Sequence, residues 1–160
     1  MMLTQFVFYH FSFYHRFALN ENPEKTWSNL FSCGGIGCES LADEQLLLHV
    51  SFQQVVKLKK LYIGVPSDDR CPNTIKLFVN EGNSISFDLV SAQKPIQVIQ
   101  VTPGSDMVEI ALAPLKFNKV QTISIFIEDN NGDDVSFIRS VSFEGATVQS
   151  MDVSNFSKNC

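Results

Sequence analysis

The sequence predicts an all-β domain, either a sandwich or a jelly roll, and two observations support this class. Short segments in which apolar and polar residues alternate recur at near-regular intervals, with turn residues between them. About eight such segments match the strand number of a two-sheet sandwich or jelly roll. No window longer than about a dozen residues has the 3.6-residue period of an amphipathic helix.

The strands follow one another from residue 39 onward, and each is predicted from its period of two. Leu58 falls out of phase with the segment after it, so we expect a β-bulge at Lys59 and Lys60. A further short strand is predicted where Ile85, Phe87 and Leu89 alternate with polar residues. The residues expected to face the core share this alternation: Leu46, Leu48, Val50, Leu61, Ile63, Ile75, Leu77, Ile123, Ile125, Ile127 and Phe143.

Residues 115–128 contain the most regular of these strands. Ile123, Ile125 and Ile127 share one face, and Phe126 lies on the other, where a solvated strand would carry a polar side chain. We therefore expect this strand to be covered on both faces, or to meet a partner with its second face. The Asn-Asn-Gly run at residues 130–132 predicts a hairpin-like turn with positive φ at its Asn and Gly residues.

Composition and charge restrict the function classes. The 160 residues fit one domain, and 12 Lys and Arg against 17 Asp and Glu give a net charge of −5. Nucleic acids and anionic membranes need a basic surface, so neither is expected as a partner. The four cysteines, Cys33, Cys38, Cys71 and Cys160, have irregular spacing, so we expect reduced thiols in the cytosol.

The motifs that would indicate catalysis, a cofactor or a metal are incomplete. The Gly-rich loop between Cys33 and Cys38 lacks the Lys-Ser/Thr of a phosphate-binding loop, and its two cysteines lack a second pair for zinc. An EF-hand interpretation from Asp129 fails because Asp134 stands where Gly is needed and Ser140 where Glu is needed. His49 is on the polar side of its strand and is interpreted as solvated. We expect no enzyme activity, no cofactor and no metal site.

The N-terminal segment differs from the rest of the chain in its amino-acid composition. Residues 1–17 contain seven aromatic residues. The segment has too few apolar positions to span a membrane, and it has no signal-peptide cleavage pattern. Two interpretations remain: an aromatic edge strand, or a segment that is non-native or disordered. The predicted organisation is this segment at 1–17, one domain at 18–157 and a tail at 158–160.

The sequence also resembles a known family. Asp43, Glu44 and Gln45, followed by three leucines, look like the Asp-Glu-Gln-Leu-Leu-Ile signature of the PITH domain, a proteasome-interacting module of thioredoxin-like proteins. Residues 72–80, 115–120 and 125–127 resemble further blocks of that family in the family's order, as does a closing segment with Met151, Asp152 and Phe156. One departure is Leu41, which follows Ser40 where the family usually has an acidic residue. No stretch of the sequence before the match resembles a thioredoxin domain, so a Cys-x-x-Cys redox centre is not expected.

The resemblance implies a jelly-roll β-sandwich of the galactose-binding-like type that docks on the regulatory particle of the 26S proteasome. The partner-binding residues that it favours are exposed polar ones: Asp43, Glu44 and Gln45 first, then Lys116, Asn118 and Lys119. An alternative for the first group is that its side chains only bond nearby backbone amides. A monomer in the cytoplasm, with the nucleus as a second compartment, is expected.

A competing function is binding of a glycan or another small ligand, because galactose-binding-like sandwiches often bind sugars at loop tips. Such sites typically combine an exposed aromatic ring with several polar side chains. Trp27, in a loop region, and Tyr62, within a strand, are the aromatic candidates.

Overall fold

A computed structural model of the chain describes residues 11, 13–31 and 35–148. Within these residues the chain is almost entirely β, with one α-helix of six residues and one short 3-10 helix. No helix in this described part has the length and apolar run that crossing a membrane requires. The elements are β1 (Phe13–Leu19), the 3-10 helix (Trp27–Phe31), β2 (Cys38–Glu39), β3 (Leu46–Gly64), β4 (Pro72–Val79), α1 (Phe87–Ala92), β5 (Gln97–Gln100), β6 (Met107–Ala111), β7 (Val120–Asn130), β8 (Phe137–Ile138) and β9 (Ser140–Thr147).

The long strand β3 connects the two layers of the sandwich. Its first half pairs with β1 on one side and β7 on the other, within a layer of order β1-β3-β7-β4-β5. Its second half pairs with β6 and β9. All of these pairings are antiparallel, and β2 and β8 form a separate two-stranded ladder. The register shifts between Leu58 and Lys60, which confirms the predicted bulge.

The main core lies between these layers. The ring of Phe52 on β3 contacts the ring of Phe143 on β9 edge-to-face, with centroids 5.6 Å apart. The eleven residues predicted to face the core are all buried, none more than 3% exposed, and all belong to one apolar cluster. The period of two therefore predicted the inward faces correctly.

A second, smaller apolar cluster covers the outer face of the β1-β3-β7-β4-β5 layer. Phe126, Leu47 and Phe78 point outward from their strands and pack against Ile85 and Val90. The expectation that the central strand is covered on both faces is confirmed, because Phe126 is buried as deeply as its isoleucine neighbours.

The covering segment corrects the strand predicted at residues 85–89, which was wrong. Phe87 and Leu89 lie in the α-helix α1, and Ser86 caps its N-terminus by accepting a hydrogen bond from the Leu89 backbone N–H at 3.2 Å. Apolar side chains at 87 and 90 share one face of a helical turn, and Phe87 packs edge-on against Phe126 at 6.0 Å. The N-cap serine was the local signal for this helix.

The predicted hairpin at residues 130–132 was also wrong. β7 pairs with β3 and β4, whereas β8 pairs with β2, so the chain crosses to a different ladder after Asn130. Gly132 has a φ of 117°, but neither asparagine has a positive φ. The Asn130 side chain instead holds the loop, because its Nδ2 donates to the Asp133 and Val135 carbonyls and its Oδ1 accepts from the Gly132 N–H.

The N-terminal boundary predicted after residue 17 falls inside β1. Residues 13–17 pair with β3 as an edge strand, and Phe11 is buried against Phe52 at 5.4 Å. Of the two interpretations of this segment, the edge strand describes residues 13–17. Residues 1–10, the tail at 158–160 and the closing segment with Met151, Asp152 and Phe156 lie outside the described residues, so the domain limits stay a prediction.

Candidate functional site

The turn that enters β3 contains the first predicted site group. Asp43 is exposed, yet its Oδ1 accepts a hydrogen bond from the Gln45 backbone N–H at 3.0 Å and from Asn20 Nδ2 at 2.9 Å. Asn20, which has a φ of 66°, also donates from Nδ2 to the Gln45 carbonyl at 2.6 Å. The Asp43 carboxylate therefore shapes the entrance to β3, in agreement with the backbone-bonding alternative for this residue.

Glu44 and Gln45 have different environments. Gln45 donates from Nε2 to the Glu128 carbonyl at 3.4 Å and so links the start of β3 to the end of β7. The Glu44 carbonyl accepts from Ser136 Oγ at 2.6 Å, while the Glu44 carboxylate has no hydrogen-bond or ion-pair partner within the described residues. Of the three side chains, Glu44 is the one free to contact a partner.

Several other carboxylates surround this turn. The start of β3, the end of β7 and the start of β4 meet at one end of the sandwich, because Leu46 is opposite Ile127 and Pro72 is opposite Asn130. Asn131 then joins the loop before β4, donating from its N–H to the Asp69 carbonyl at 3.2 Å. We call this region the acidic end; its carboxylate residues are Glu39, Asp43, Glu44, Asp68, Asp69, Glu128, Asp129, Asp133 and Asp134.

Part of the acidic end is internally neutralised. Arg70 pairs with Asp68 at 2.8 Å and with Glu39 at 2.9 Å, while its guanidinium lies 4.7 Å from the Phe137 ring centroid. These hydrogen bonds raise the pKa of Arg70 above its ordinary value and lower the pKa of Asp68. Lys25 adds a longer contact to Glu39 at 3.6 Å.

The remaining acids differ in how far they are engaged. Glu128 pairs with Lys76, and Asp129 accepts from the Thr74 backbone N–H at 2.8 Å. Asp133 accepts from the Val135 N–H at 3.1 Å. The carboxylates of Glu44, Asp69 and Asp134 have no partner within the described part of the chain. They give the acidic end an excess of accessible negative charge.

The second predicted group lies at the opposite end of the β3-β7 pair. Lys116, Asn118 and Lys119 are exposed in the loop that precedes β7, and the Lys119 carbonyl accepts from Asn80 Nδ2 at 2.9 Å. Val120 and Ile127 are seven residue steps apart along β7, which at roughly 3.4 Å per residue is about 24 Å. The structure therefore does not bring the two groups into one site.

That second end is basic. Lys57 and Lys59 of β3 are exposed there, near the loop, since the Leu58 backbone N–H donates to the Phe117 carbonyl at 2.9 Å. We call the region formed by Lys57, Lys59, Lys116 and Lys119 the basic end. The sandwich therefore carries acidic and basic residues at opposite ends, an arrangement that no local sequence pattern indicated.

His49 corrects another expectation, because it is fully buried and not solvated. Its Nδ1 lies 2.8 Å from Ser124 Oγ and its Nε2 lies 3.1 Å from Asn83 Oδ1. Ser51 Oγ also donates to Asn83 Oδ1 at 2.8 Å, and Phe17 stacks on the imidazole at 5.0 Å. The pKa of His49 is lowered, and burial is the largest cause. Burial therefore favours the neutral imidazole.

This Ser-His-Asn contact resembles a hydrolytic triad in composition only. Ser124 is 1% exposed and lies beneath the segment that carries α1, so its hydroxyl is closed to a substrate. We assign the group a structural role. The missed signal was Phe126: its face of the strand was predicted to be covered, and the same face of the sheet carries Ser124 and His49.

The described cysteines have the environment of structural thiols. Cys38 and Cys71 are buried and unpaired, and burial, followed by Glu21 and Glu39, raises the pKa of Cys38 to about 12. A thiol with that pKa is protonated at neutral pH and is a poor nucleophile or metal ligand. Cys33 and Cys160 lie outside the described residues. Among the residues that are described, no group of three His, Cys, Asp or Glu side chains is placed to hold a metal ion.

The aromatic candidates for a sugar platform are already engaged. The Arg16 guanidinium lies over the Trp27 ring, 4.7 Å from its centroid. Tyr62 is buried and its hydroxyl donates to Glu144 Oε2 at 3.2 Å. Gly37, from the Gly-rich loop, is also a packing position, since a Cβ there would collide with the Phe137 ring.

A comparison with protein families matches the chain to the PITH domain over residues 4–159. The chain belongs to the PITH domain family. It is 34% identical over 101 residues to thioredoxin-like protein 1 of Schizosaccharomyces pombe, a match that covers 60% of this chain and 35% of that protein. It is 33% identical over 108 residues to PITH domain-containing protein CG6153 of Drosophila melanogaster, covering 67% of this chain and 50% of that one. The human PITH domain-containing protein 1 matches at 32% over 108 residues, with the same coverage of 67% and 50%. The chain thus spans half or less of the length of these relatives.

Solved structures place this PITH domain among galactose-binding-like jelly rolls. The CBM32-1 and CBM32-2 domains of Clostridium perfringens ZmpB, in complex with GalNAc, superpose with a TM-score of 0.65 at 9% identity, over 82% of this chain and 33% of that one. The family 32 CBM of C. perfringens NanJ, in complex with galactose, gives 0.64 at 9% identity, over 81% and 91%. A fucose-binding module of Streptococcus pneumoniae gives 0.56 at 15% identity, over 81% and 92%. The predicted jelly-roll fold is confirmed, and at these identities the likeness concerns the fold alone.

Proposed function

We propose that this PITH domain is a non-catalytic interaction module that docks on the regulatory particle of the 26S proteasome as an adaptor. Membership of the PITH domain family supports the class of function, since the resemblance described above is to a proteasome-interacting module of thioredoxin-like proteins. The observation that carries the proposed surface is the acidic end, where the Asp43-Glu44-Gln45 turn lies among carboxylates without internal partners.

The physics of such a surface favours fast, reversible docking. Complementary charge raises the rate of association more than the final affinity, and its effect fades as salt screens it. Glu44, Asp69 and Asp134 are the residues expected to face a basic patch on the proteasome. The domain acts as a monomer, in the cytoplasm and also in the nucleus, without nucleic acid or membrane as a partner.

Capture of purified 26S proteasomes on the immobilised chain tests the proposal. The double charge reversal Glu44→Lys with Asp134→Lys is expected to reduce capture at least fivefold at low salt, since about 1 kcal/mol corresponds to roughly that factor. The matched control is Glu81→Lys with Asp88→Lys, which changes the net charge equally in the segment that bears α1. Equal capture by both variants, or no capture by the unmodified chain, overturns the proposal.

A second candidate is sugar binding, which is favoured by the fold alone: solved relatives of the fold contain GalNAc and galactose. The placement of Trp27 beneath Arg16 and the burial of Tyr62 weigh against it, because a sugar platform needs an open aromatic face. Thermal-shift measurements with galactose, GalNAc and fucose decide the matter. A sugar-specific rise in melting temperature establishes this function in place of the adaptor.

A further inference from the structure

The basic end contains a cleft of about 240 Å³ lined by Lys57, Leu58, Lys59, Leu112 and Pro114. Its walls are fixed by backbone hydrogen bonds: Leu112 N–H donates to the Lys59 carbonyl at 2.9 Å, and Leu58 N–H donates to the Phe117 carbonyl at 2.9 Å. The cleft lies next to the bulge of β3, where the register with β9 shifts. The cleft is therefore shaped by the backbone of the sandwich.

The lysines around this cleft have no acidic partner among the residues that the structure describes. Lys60 pairs with Glu109 at 2.6 Å and Lys76 pairs with Glu128. In contrast, no carboxylate of the described residues lies within ion-pair distance of Lys57, Lys59 or Lys116. Among the described residues, the Lys116 ammonium has one hydrogen bond, to the Ile96 carbonyl at 3.4 Å. Lys57 and Lys59 thus line the cleft, and Lys116 follows two residues after Pro114 in its wall. The charge of these three exposed lysines is not compensated by a carboxylate of the described residues.

An exposed apolar side chain adjoins the same cleft. Leu115, the residue after Pro114 in the cleft wall, is 88% exposed, more than any other large apolar residue that the structure describes. Covering a leucine side chain in a complex removes its apolar surface from water, which favours association. A partner that covers Leu115 and pairs with the lysines would therefore gain from both.

We propose that the cleft and Leu115 form a docking site for a short acidic peptide segment of a partner protein, with an apolar side chain of the segment inserted in the cleft. The size supports a peptide side chain, because pockets for whole small-molecule ligands are typically about 300–1,000 Å³. Charge complementarity supports acidic flanks. The proposal extends the interaction function to a second surface, at the opposite end of the β3-β7 pair from the acidic end.

A peptide fits the charge distribution better than nucleic acid does. Nucleic-acid binding rests on neutralising several phosphates with an extended basic footprint. This chain has a net charge of −5, and nine of its 17 acidic residues lie at the acidic end of the same sandwich. A small basic surface on an acidic protein suits a short local segment with a few carboxylates.

The test titrates the full chain with a fluorescein-labelled peptide, Glu-Glu-Leu-Phe-Glu-Glu, and with the version in which every Glu is Lys. Fluorescence polarisation gives the affinity and amide chemical shifts give the location. The acidic peptide is expected to bind and to change the amide chemical shifts of residues 57–59 and 112–116, and its binding is expected to weaken with added NaCl.

Lys57→Glu is expected to weaken binding of the acidic peptide about fivefold or more, from the loss of roughly 1 kcal/mol. The control Lys94→Glu, also exposed, is expected to leave the affinity within twofold. Leu115→Ser should weaken it as well, whereas Leu41→Ser, which alters a 56% exposed leucine at the acidic end, should not.

Any of three results with the peptides would overturn this proposal: equal binding of the basic peptide, shifts confined to the acidic end, or an affinity unchanged by both Lys57→Glu and Leu115→Ser. Stronger lysine-dependent binding to phosphatidylserine vesicles than to the peptide would also overturn it, in favour of a membrane surface. The proteasome capture assay depends on Glu44 and Asp134 and uses no peptide. Its failure alone contradicts the adaptor function and leaves the peptide result standing.

Discussion

Arg16 lies over Trp27, with its guanidinium carbon 4.7 Å from the centroid of the indole ring. The same guanidinium is 4.7 Å from the Phe13 ring and 5.0 Å from the Phe31 ring. Burial lowers the pKa of Arg16 below its ordinary value. These contacts fasten the edge strand β1 to the 3-10 helix, two elements that share no strand pairing.

Replacing Arg16 by methionine is expected to destabilise the domain by about 1 kcal/mol, because a cation over aromatic faces contributes roughly 0.5–2 kcal/mol. Methionine keeps much of the packing volume and removes the charge. Urea unfolding followed by tryptophan fluorescence measures the change. Lys94→Met, at an exposed position, is the control, and an equal effect of the two substitutions would show that the aromatic contacts contribute nothing.

A chain that starts at Ala18 tests the predicted domain boundary. The truncation removes most of β1, with its pairing to β3, the buried Phe11 and the Arg16 contacts. We expect a loss of at least about 3 kcal/mol, which lowers the melting temperature of a domain of this size by roughly 10 °C. A melting temperature within about 3 °C of the full chain would instead support a domain that begins at residue 18.

Ile125→Ala is expected to cost about 2–5 kcal/mol, as for other truncations of buried aliphatic side chains. Ile125 is fully buried on β7 between its neighbours Leu48 and Leu77. Val98→Ala, at a 48% exposed position on β5, is the comparison and should cost well under 1 kcal/mol. Chemical denaturation of both variants provides the measurement; similar losses would contradict the assigned faces.

The faces of the strands could be predicted from sequence because a period of two is a local property. Ile123, Ile125 and Ile127 alternate with other residues within a stretch of five, which assigns them to one face of the strand. All three are buried. The environment of His49 could not be predicted in this way. Its partner Asn83 comes 34 residues later, in a segment whose position depends on the packing of α1 against Phe126.

The candidate site, too, could be predicted from the sequence only in part. The Asp43-Glu44-Gln45 turn was found from a motif, but its hydrogen bonds to Asn20, 23 to 25 residues earlier, required the fold. Lys116, Asn118 and Lys119 were predicted as a second group, and no local pattern indicated where they lie relative to that turn. Antiparallel pairing of β3 with β7 places the two groups at opposite ends, and only the register reveals this.

His49 predicts a stability that falls as the pH decreases. Its folded-state pKa lies below the unfolded value of about 6.5, so the unfolded chain binds a proton that the folded chain does not. The contribution of the neutral histidine is complete above that unfolded pKa and decreases as the pH falls toward the folded pKa. His49→Gln should flatten this part of the profile of unfolding free energy against pH.

His15 is the control for this pH dependence, because it is exposed, its ring contacts Phe17 at 5.2 Å, and its charge lowers the pKa of His49 as a smaller cause. His15→Gln should preserve most of the slope. Urea titrations at several pH values between 5 and 8 supply the data. A slope that persists in His49→Gln would assign the pH dependence to another group.

Asp43 and Glu44 are adjacent in the motif, yet the structure predicts opposite consequences for them. Asp43→Ala removes an acceptor from the Gln45 backbone N–H and from Asn20 Nδ2. We expect a loss of about 0.5–1.5 kcal/mol per hydrogen bond in unfolding free energy. Glu44→Ala removes a carboxylate without a partner in the described residues and should stay within about 0.5 kcal/mol.

Proteasome capture should rank the same two substitutions in the reverse order. At a temperature where both variants are folded, Glu44→Ala is expected to lose capture because its carboxylate is the free charge of the turn. Asp43→Ala should retain more, since Oδ1 of the Asp43 carboxylate is already hydrogen-bonded within the chain. Melting temperature and capture are therefore measured on each variant together. If Asp43→Ala lost capture at unchanged stability while Glu44→Ala kept it, Asp43 and not Glu44 would be the contact residue, and its bonds to Asn20 and Gln45 would have to open when the proteasome binds.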